Sequence, residues 1–152
     1  MTDSVQFRLE GVDQLVIRLR NATKETKYKG GRAALRKAAT VIARQARDNA
    51  KSLDDPDTGR SIARNVATRW NGRHFKRTGE IAFRVGVRQG ARLQDGGDQS
   101  TGAPTPHWRL LEFGTEKMQA RPFMRRALTQ KQTEAISTFA IEYMKELNKA
   151  IR

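Results

Sequence analysis

At 152 residues the chain is one domain by length and long enough to bury a core without disulfide or metal staples. It contains no cysteine, which excludes disulfides and thiolate metal sites and suits assembly in a reducing compartment. Thirty basic against 16 acidic residues give a net charge of +14, which points to polyanionic partners (nucleic acid, an acidic protein surface or an acidic membrane) and says nothing of fold.

The charge is uneven. Residues 60–92 hold nine Arg or Lys and a single acid, Glu80, whereas residues 93–152 hold nine basic and seven acidic residues and are close to neutral. The N-terminus, MTDSVQFRLEG, has no basic start followed by an apolar run, so no signal peptide is expected. No stretch approaches the roughly 18 apolar residues of a membrane helix, and no membrane partner is expected.

In chain order, Val5, Phe7 and Leu9 alternate with Gln6 and Arg8 and predict a short half-buried strand closed by Gly11. Val12 to Arg20 predicts a short helix, with Leu15, Val16 and Leu19 at helical spacing and Asp13 near its positive end. Gly30-Gly31 predicts a break, although the polar stretch Thr23 to Lys29 is compatible with helix. A long helix is expected from Arg32 to about Leu53. Its stripe is Leu35, Ala38, Ala39, Ile42, Ala46 and Ala50, small enough to let another element approach closely. Arg36, Lys37, Arg44 and Arg47 lie off that stripe and are expected in solvent.

Asp54 to Gly59, DDPDTG, is a turn cluster. As a calcium loop it fails: the Asp spacing is wrong, Pro56 intrudes, and the twelfth position from Asp55 is Val66 rather than Glu. Asp57 or Thr58 is expected to cap a following helical turn instead. Ile62, Val66 and Trp70 then mark a helical turn running into a strand. Ile81, Phe83, Val85 and Val87 alternate with Ala82, Arg84, Gly86 and Arg88, the clearest strand in the chain. With Asn71-Gly72 as a turn signal, this predicts a hairpin with arms at about 64–71 and 80–88 and a basic, exposed link, RHFKRTG. Residues 89–106 contain four Gly and two Pro and predict a long flexible loop that orders against a partner. A long C-terminal helix is expected from about Pro122 to Lys149. Its stripe is Ile136, Phe139, Ala140, Tyr143 and Leu147, and Pro122 suits its first turn. The fold class is therefore α+β: a small antiparallel sheet packed against one long helix in the N-terminal half and another at the C-terminus.

Catalytic chemistry finds little support. The only histidines are His74, set among Arg73 and Lys76 in a poor setting for a general base, and His107, which abuts the dense segment that follows it; a surface or packing role is expected of both. Gly30-Gly31-Arg32 and Gly96-Gly97 lack the spacing and the Lys-Ser/Thr of a phosphate-cradling loop. The carboxylates open to a nuclease-like pair, Asp54, Asp55, Asp57 and Glu112, have no supporting motif. No catalytic residue, metal or cofactor is expected.

The densest segment is HWRLLEFGTEKMQARPFMRRAL, residues 107–128. Trp108, Leu111 and Leu110 can line one side of a short helix that Gly114 ends. Thr115 to Ala120 form a loop, Arg121-Pro122 sets an extended residue, and Phe123 and Met124 anchor the last helix. Glu112 and Arg121 flank this corner. Two bracing arrangements follow: they pair, or Glu112 faces the N-terminus of the last helix.

The order Trp108, Leu111-Glu112-Phe113-Gly114-Thr115, Met118, Ala120-Arg121-Pro122-Phe123 and Ala127 resembles the head–tail connector, or tail-completion, proteins of long-tailed, siphovirus-like double-stranded DNA phages. Thr58 to Arg60 and Val85 to Val87 also fit, so the resemblance spans roughly residue 30 to the end. The stretch 89–106 is longer than the pattern needs.

The resemblance implies a structural virion protein rather than an enzyme. It implies an α+β subunit of a ring, commonly sixfold, at the neck or the top of the tail tube, which completes the tail and joins it to the DNA-filled head. Its implied partners are copies of itself, neighbouring connector and tail-tube or tail-terminator proteins, and packaged DNA passing nearby. The implied location is the virion, after assembly in the host cytoplasm. A basic lumen is not the obvious design, because tight phosphate binding would hinder DNA passage. A ring contact is heterologous and needs two different faces. The expected assembly residues are Arg73, His74, Phe75, Lys76, Arg77, Arg84, Arg88, Arg92, Asp95 and Asp98. The expected fold-determining corner is Trp108, Leu111, Glu112, Phe113, Gly114, Thr115, Arg121, Pro122 and Phe123. The competing class is a free basic nucleic-acid-binding protein, with salt-sensitive affinity. It lacks a visible groove-reading motif, and aromatics at 7% are too few for an obvious base-stacking platform.

Overall fold

The structure, a computed structural model, describes residues 12–54, 61–88 and 105–150. The expected strand at Val5 to Leu9, the turn cluster beyond Asp54, and the loop residues Arg92, Asp95 and Asp98 lie outside the described residues. The elements are α1 (Val12–Asn21), α2 (Lys24–Lys51), α3 (Ile62–Asn65), β1 (Val66–Trp70), α4 (Gly72–Thr78), β2 (Phe83–Val87), α5 (Trp108–Phe113) and α6 (Met124–Ala150). The α+β expectation holds: a two-stranded antiparallel sheet lies against two long helices.

α2 starts earlier than expected and runs through Gly30-Gly31 without a break. Thr23 caps it, its hydroxyl accepting from the Thr26 N–H at 3.2 Å. The glycines are there because α6 is close, not because the chain turns. A Cβ at Gly30 would stand 3.1 Å from the Glu146 Cβ and 3.2 Å from the Tyr143 ring; one at Gly31 would stand 3.1 Å from Ile81. The helix gives up roughly 1 kcal/mol of propensity per glycine to admit a bulky ring on its neighbour. Ala34, Ala38, Ala43, Ala46 and Ala50 continue the buried stripe, so Ala34 and Ala43 join the expected set. Leu35, Ala39 and Ile42 sit beside it, half-buried.

α6 runs antiparallel to α2. Tyr143 lies at Gly30 and donates its hydroxyl to the Lys27 carbonyl at 2.8 Å, while Asn49, near the other end of α2, donates to the Phe123 carbonyl at 3.2 Å. Lys37 is exposed to solvent as expected and also pairs with Glu142 at 2.6 Å. Arg47 is half-buried, its guanidinium donating to the Val66 carbonyl at 3.1 Å and tying α2 to the start of β1. Two apolar clusters result. One joins α2, α3 and β1 to Phe123 and Ala127; the other joins α1 through Leu15 to Ala34, Tyr143 and Leu147. Between them Leu35, Ile42, Phe83, Val85, Ile136 and Phe139 line an open apolar groove of about 370 Å³.

The hairpin register is Val66↔Val87, Thr68↔Val85, Arg69↔Arg84 and Trp70↔Phe83. Its link is not an open loop. Asn71 caps α4, accepting from the His74 N–H at 3.3 Å, and Gly79 ends α4 at φ +74°, a left-handed stop suited to glycine. Asp54 and Ser61 hold the start of α3: Asp54 accepts from the Ser61 hydroxyl at 2.7 Å and the Ile62 N–H at 2.6 Å, and Ser61 caps the turn. The caps expected of Asp57 and Thr58 fall outside the described residues. α6 begins at Met124, so Pro122 sits just before its first turn.

The close packing at Gly30 gives a direct test. Gly30→Leu would force α6 off α2 and lower the unfolding free energy by about 1–3 kcal/mol. The urea midpoint of the variant reads this, and a midpoint equal to that of the parent chain would contradict the packing described.

Candidate functional site

Two features stand out from the scaffold: the corner between α5 and α6, and the basic hairpin. At the corner, Glu112 is 2% exposed. Its Oε2 accepts from the backbone N–H groups of Phe123 at 2.8 Å and Met124 at 3.0 Å, and its Oε1 accepts from the N–H of Arg125 at 3.0 Å. These are donors at the start of α6 with no partner inside the helix. Phe123 precedes the helix and has no side-chain oxygen to cap it, so a residue 12 positions before Met124 does so from another element. Arg125 closes the ring, its Nε donating to Glu112 Oε1 at 3.2 Å and its Nη2 to the Glu112 carbonyl at 2.6 Å.

Of the two bracing arrangements, the helix-facing one is present. Arg121 does not pair with Glu112: its side chain is exposed, and its backbone N–H donates to the Leu111 carbonyl at 2.7 Å. Burial alone would raise the Glu112 carboxyl above its ordinary pKa; the three backbone N–H groups and Arg125 outweigh it and hold the group lowered.

The neighbouring residues divide the remaining work. Gly114 has φ +74°, and a Cβ there would stand 2.8 Å from the Ala120 nitrogen and 3.0 Å from the Met118 oxygen. Both the backbone angle and the space demand glycine. Thr115 closes the turn, its N–H donating to the Met118 carbonyl at 2.9 Å while its hydroxyl accepts from the Met118 N–H at 3.0 Å. Phe123 is 1% exposed in the core; Trp108 and Leu111 are half-buried against it. Two residues face the other way. Leu110 is 51% exposed and Phe113 is 65% exposed, with the Arg125 guanidinium 5.4 Å from the Phe113 ring centre. Leu110 therefore does not share the packed side of α5 with Trp108 and Leu111, as the sequence led one to expect.

On the hairpin, Phe75 is not an open surface residue. It packs against Trp70 at 5.6 Å and Tyr28 at 4.9 Å between ring centres, and Phe83 meets Trp70 at 5.3 Å. Arg32 lies over the Trp70 ring at 4.4 Å. His74 is half-buried and meets Glu80 at 3.0 Å. That leaves Arg73, Lys76 and Arg77 exposed on α4, Arg69 and Arg84 exposed on the strands, and Arg88 exposed just past β2. Arg69 had not been singled out in the sequence; the cross-strand register places it opposite Arg84. Asn65, buried beside the hairpin, donates to Thr105 at 2.8 Å and its carbonyl accepts from the Arg88 N–H at 2.8 Å, so both flanks of the 89–104 stretch meet at one residue. Among the described residues no group of three His, Asp or Glu is placed to hold a metal ion, and no helix is long and apolar enough to cross a membrane.

Glu112→Gln would set an amide N–H₂ among backbone donors and remove the charge, at a cost of about 2–4 kcal/mol. Arg125→Gln would cost less, since the backbone donors remain satisfied. Because the folded-state pKa of Glu112 is lowered, its stabilisation is present above the ordinary value of 4.5 and is lost as pH falls through the lower folded value. Urea titrations from neutral pH down into the acid range should show that loss in the parent chain and a flatter acid limb in Glu112→Gln. Separately, Gly114→Ala is expected to lower stability by about 1–3 kcal/mol through strain in the turn, read as a fall in Tm; an unshifted Tm would mean that the turn relaxes freely.

No curated protein and no solved structure matches the chain. A family described as "Bacteriophage HK97-gp10, putative tail-component" matches residues 13–114, about two thirds of the sequence. The matched region runs from α1 through the hairpin to Gly114, so it includes Glu112 but stops before Arg121-Pro122-Phe123 and α6. It extends further toward the N-terminus than the resemblance carried by the corner residues, and the two overlap from residue 30 to 114. With that share of its length matched, the chain belongs to the HK97 gp10-like family of bacteriophage tail components.

Proposed function

We propose that this tail component forms a ring at the head–tail junction or the top of the tail tube, completing the tail and joining it to the DNA-filled head. The observation that carries the reading is the family match together with the corner motif, in which Glu112, Gly114 and Phe123 each have a geometric task. The chain acts through surfaces rather than chemistry. A closed ring needs two unlike faces per subunit, and stable subunit contacts need apolar anchors at their centre. The apolar groove between α2, β2 and α6 supplies one such surface. The exposed Leu110 and Phe113 of α5 and Leu128 of α6 supply apolar side chains elsewhere. The exposed α4 residues Arg73, Lys76 and Arg77 form a basic assembly edge suited to acidic neighbours in the neck or tail, and Arg92, Asp95 and Asp98 are further assembly residues, of mixed charge. The protein then resides in the virion, assembled in the host cytoplasm from copies of itself and its connector and tail-tube partners.

Electron microscopy of phage particles lacking the chain tests this. Filled heads beside detached tails are the expected result of losing a joint. Overlong or irregular tail ends would place the role at tail completion, within the same reading. Normal, joined virions would sink it.

A further inference from the structure

The outer face of the hairpin carries a charge arrangement that the fold does not need. Phe83 and Val85 of β2 line the groove against α2 and α6, so the alternate residues face away from the helices. Those residues are Arg69 on β1 and Arg84 on β2, with Arg88 continuing the alternation. Arg69 and Arg84 are direct cross-strand partners. Like charges in that position destabilise an antiparallel pair. All three arginines are exposed, and among the described residues none of their side chains has an ion-pair partner. Glu80 is the only acid in 61–88 and lies against His74. Between the arginines the floor is small: a Cβ at Gly86 would meet nothing within 4 Å.

We infer that this face binds the phosphate backbone of double-stranded DNA, without reading sequence. A protein partner would be expected to seat a large apolar or aromatic residue at the centre of its contact; this face has only Gly86 and the small Ala67 there, Ala67 itself only 7% exposed, and the aromatic residues of the hairpin are turned inward. A duplex needs only fixed cations: guanidinium groups suit phosphate oxygens, and backbone contacts fix position without specifying bases. Three contacts make a weak and salt-labile grip, which a moving duplex can slip past, so the objection to a tightly binding lumen does not apply. The inference rests on the tail-component reading only for the source of the DNA.

The test uses the purified full-length chain and a short labelled duplex, with anisotropy followed across a salt series. Arg69→Gln/Arg84→Gln/Arg88→Gln is compared with Arg20→Gln/Arg44→Gln/Arg126→Gln, which removes the same charge from exposed positions on α1, α2 and α6. The hairpin variant should flatten the slope of log affinity against log salt by about 2.7, that is about 0.9 for each of three phosphate contacts, and the matched variant should leave it nearly unchanged. Equal effects of the two variants would reduce the binding to diffuse net charge and overturn the proposal. So would binding of polyglutamate as tight as that of the duplex at equal salt, which would point to an acidic protein. Arg69→Glu provides a second readout. By pairing with Arg84 it should leave Tm equal or higher while weakening duplex binding; a lower Tm would show that the like-charge pair is not an unrelieved repulsion and would remove the argument's basis. These measurements concern DNA affinity alone, so their failure would leave the particle phenotype, and the tail reading, standing.

Discussion

The position of α6 depends on one buried carboxylate. Glu112 sits on the last turn of a six-residue helix and accepts three backbone N–H groups at the head of a 27-residue one. Those donors are geometrically fixed, so the bond set specifies where α6 begins relative to α5, not merely that it begins. At the far end, roughly 30 Å along the helix, Tyr143 has to arrive at Gly30 and Gly31, the only places on α2 without a Cβ to block its ring. The register is therefore set twice, by charge at one end and by shape at the other. Lys37–Glu142 lies near the second anchor and Asn49 reaches the Phe123 carbonyl at the first. A slip of one turn would strand the carboxylate of Glu112 among apolar side chains and press the Tyr143 ring against alanines.

This division explains why so little apolar surface suffices. Alanine and glycine on α2 bring the helices near enough that a few large side chains, Phe123, Leu147, Ile62 and Tyr143, fill the space between elements. The rest of the apolar inventory is free to remain on the surface, in the groove and at Leu110, Phe113 and Leu128. A subunit that works by assembly can hold such surface in reserve for its neighbours.

Much of the architecture was legible in the sequence, and the exceptions share a cause. The strand at Phe83–Val87, the helix running into a strand at Ile62–Trp70, and the two long helices follow from periodicity. So did the corner, because Gly114, Pro122 and Phe123 carry strong local preferences. Gly30-Gly31 misled because a glycine pair marks a turn when only local chain preference is considered; its role here lies in a residue more than 110 positions away. Arg121 was a natural partner for Glu112 by charge, yet the partners that decide are backbone amides, which residue identity does not reveal, along with Arg125. α4 went unseen because its sequence, GRHFKRT, is mostly polar or basic and has no apolar stripe; only Phe75 is recruited, by Trp70 and Tyr28. Arg69 was hidden until the register put it opposite Arg84.

That register also shows how the hairpin tolerates its charges. The pair next to Arg69↔Arg84 is Trp70↔Phe83, whose rings meet at 5.3 Å on the opposite face and are joined by Phe75 and by the guanidinium of Arg32. An aromatic pair contributes on the order of 1 kcal/mol beyond its buried area, against a like-charge cost of a few tenths to about 1 kcal/mol. The inner face thus offsets the outer one within a single two-residue step. Stability is kept where the strand meets α2, and the repulsion is confined to side chains in water, where salt and any polyanion that approaches can relieve it. A sheet built this way is free to keep paired arginines exposed without loosening the core beneath them.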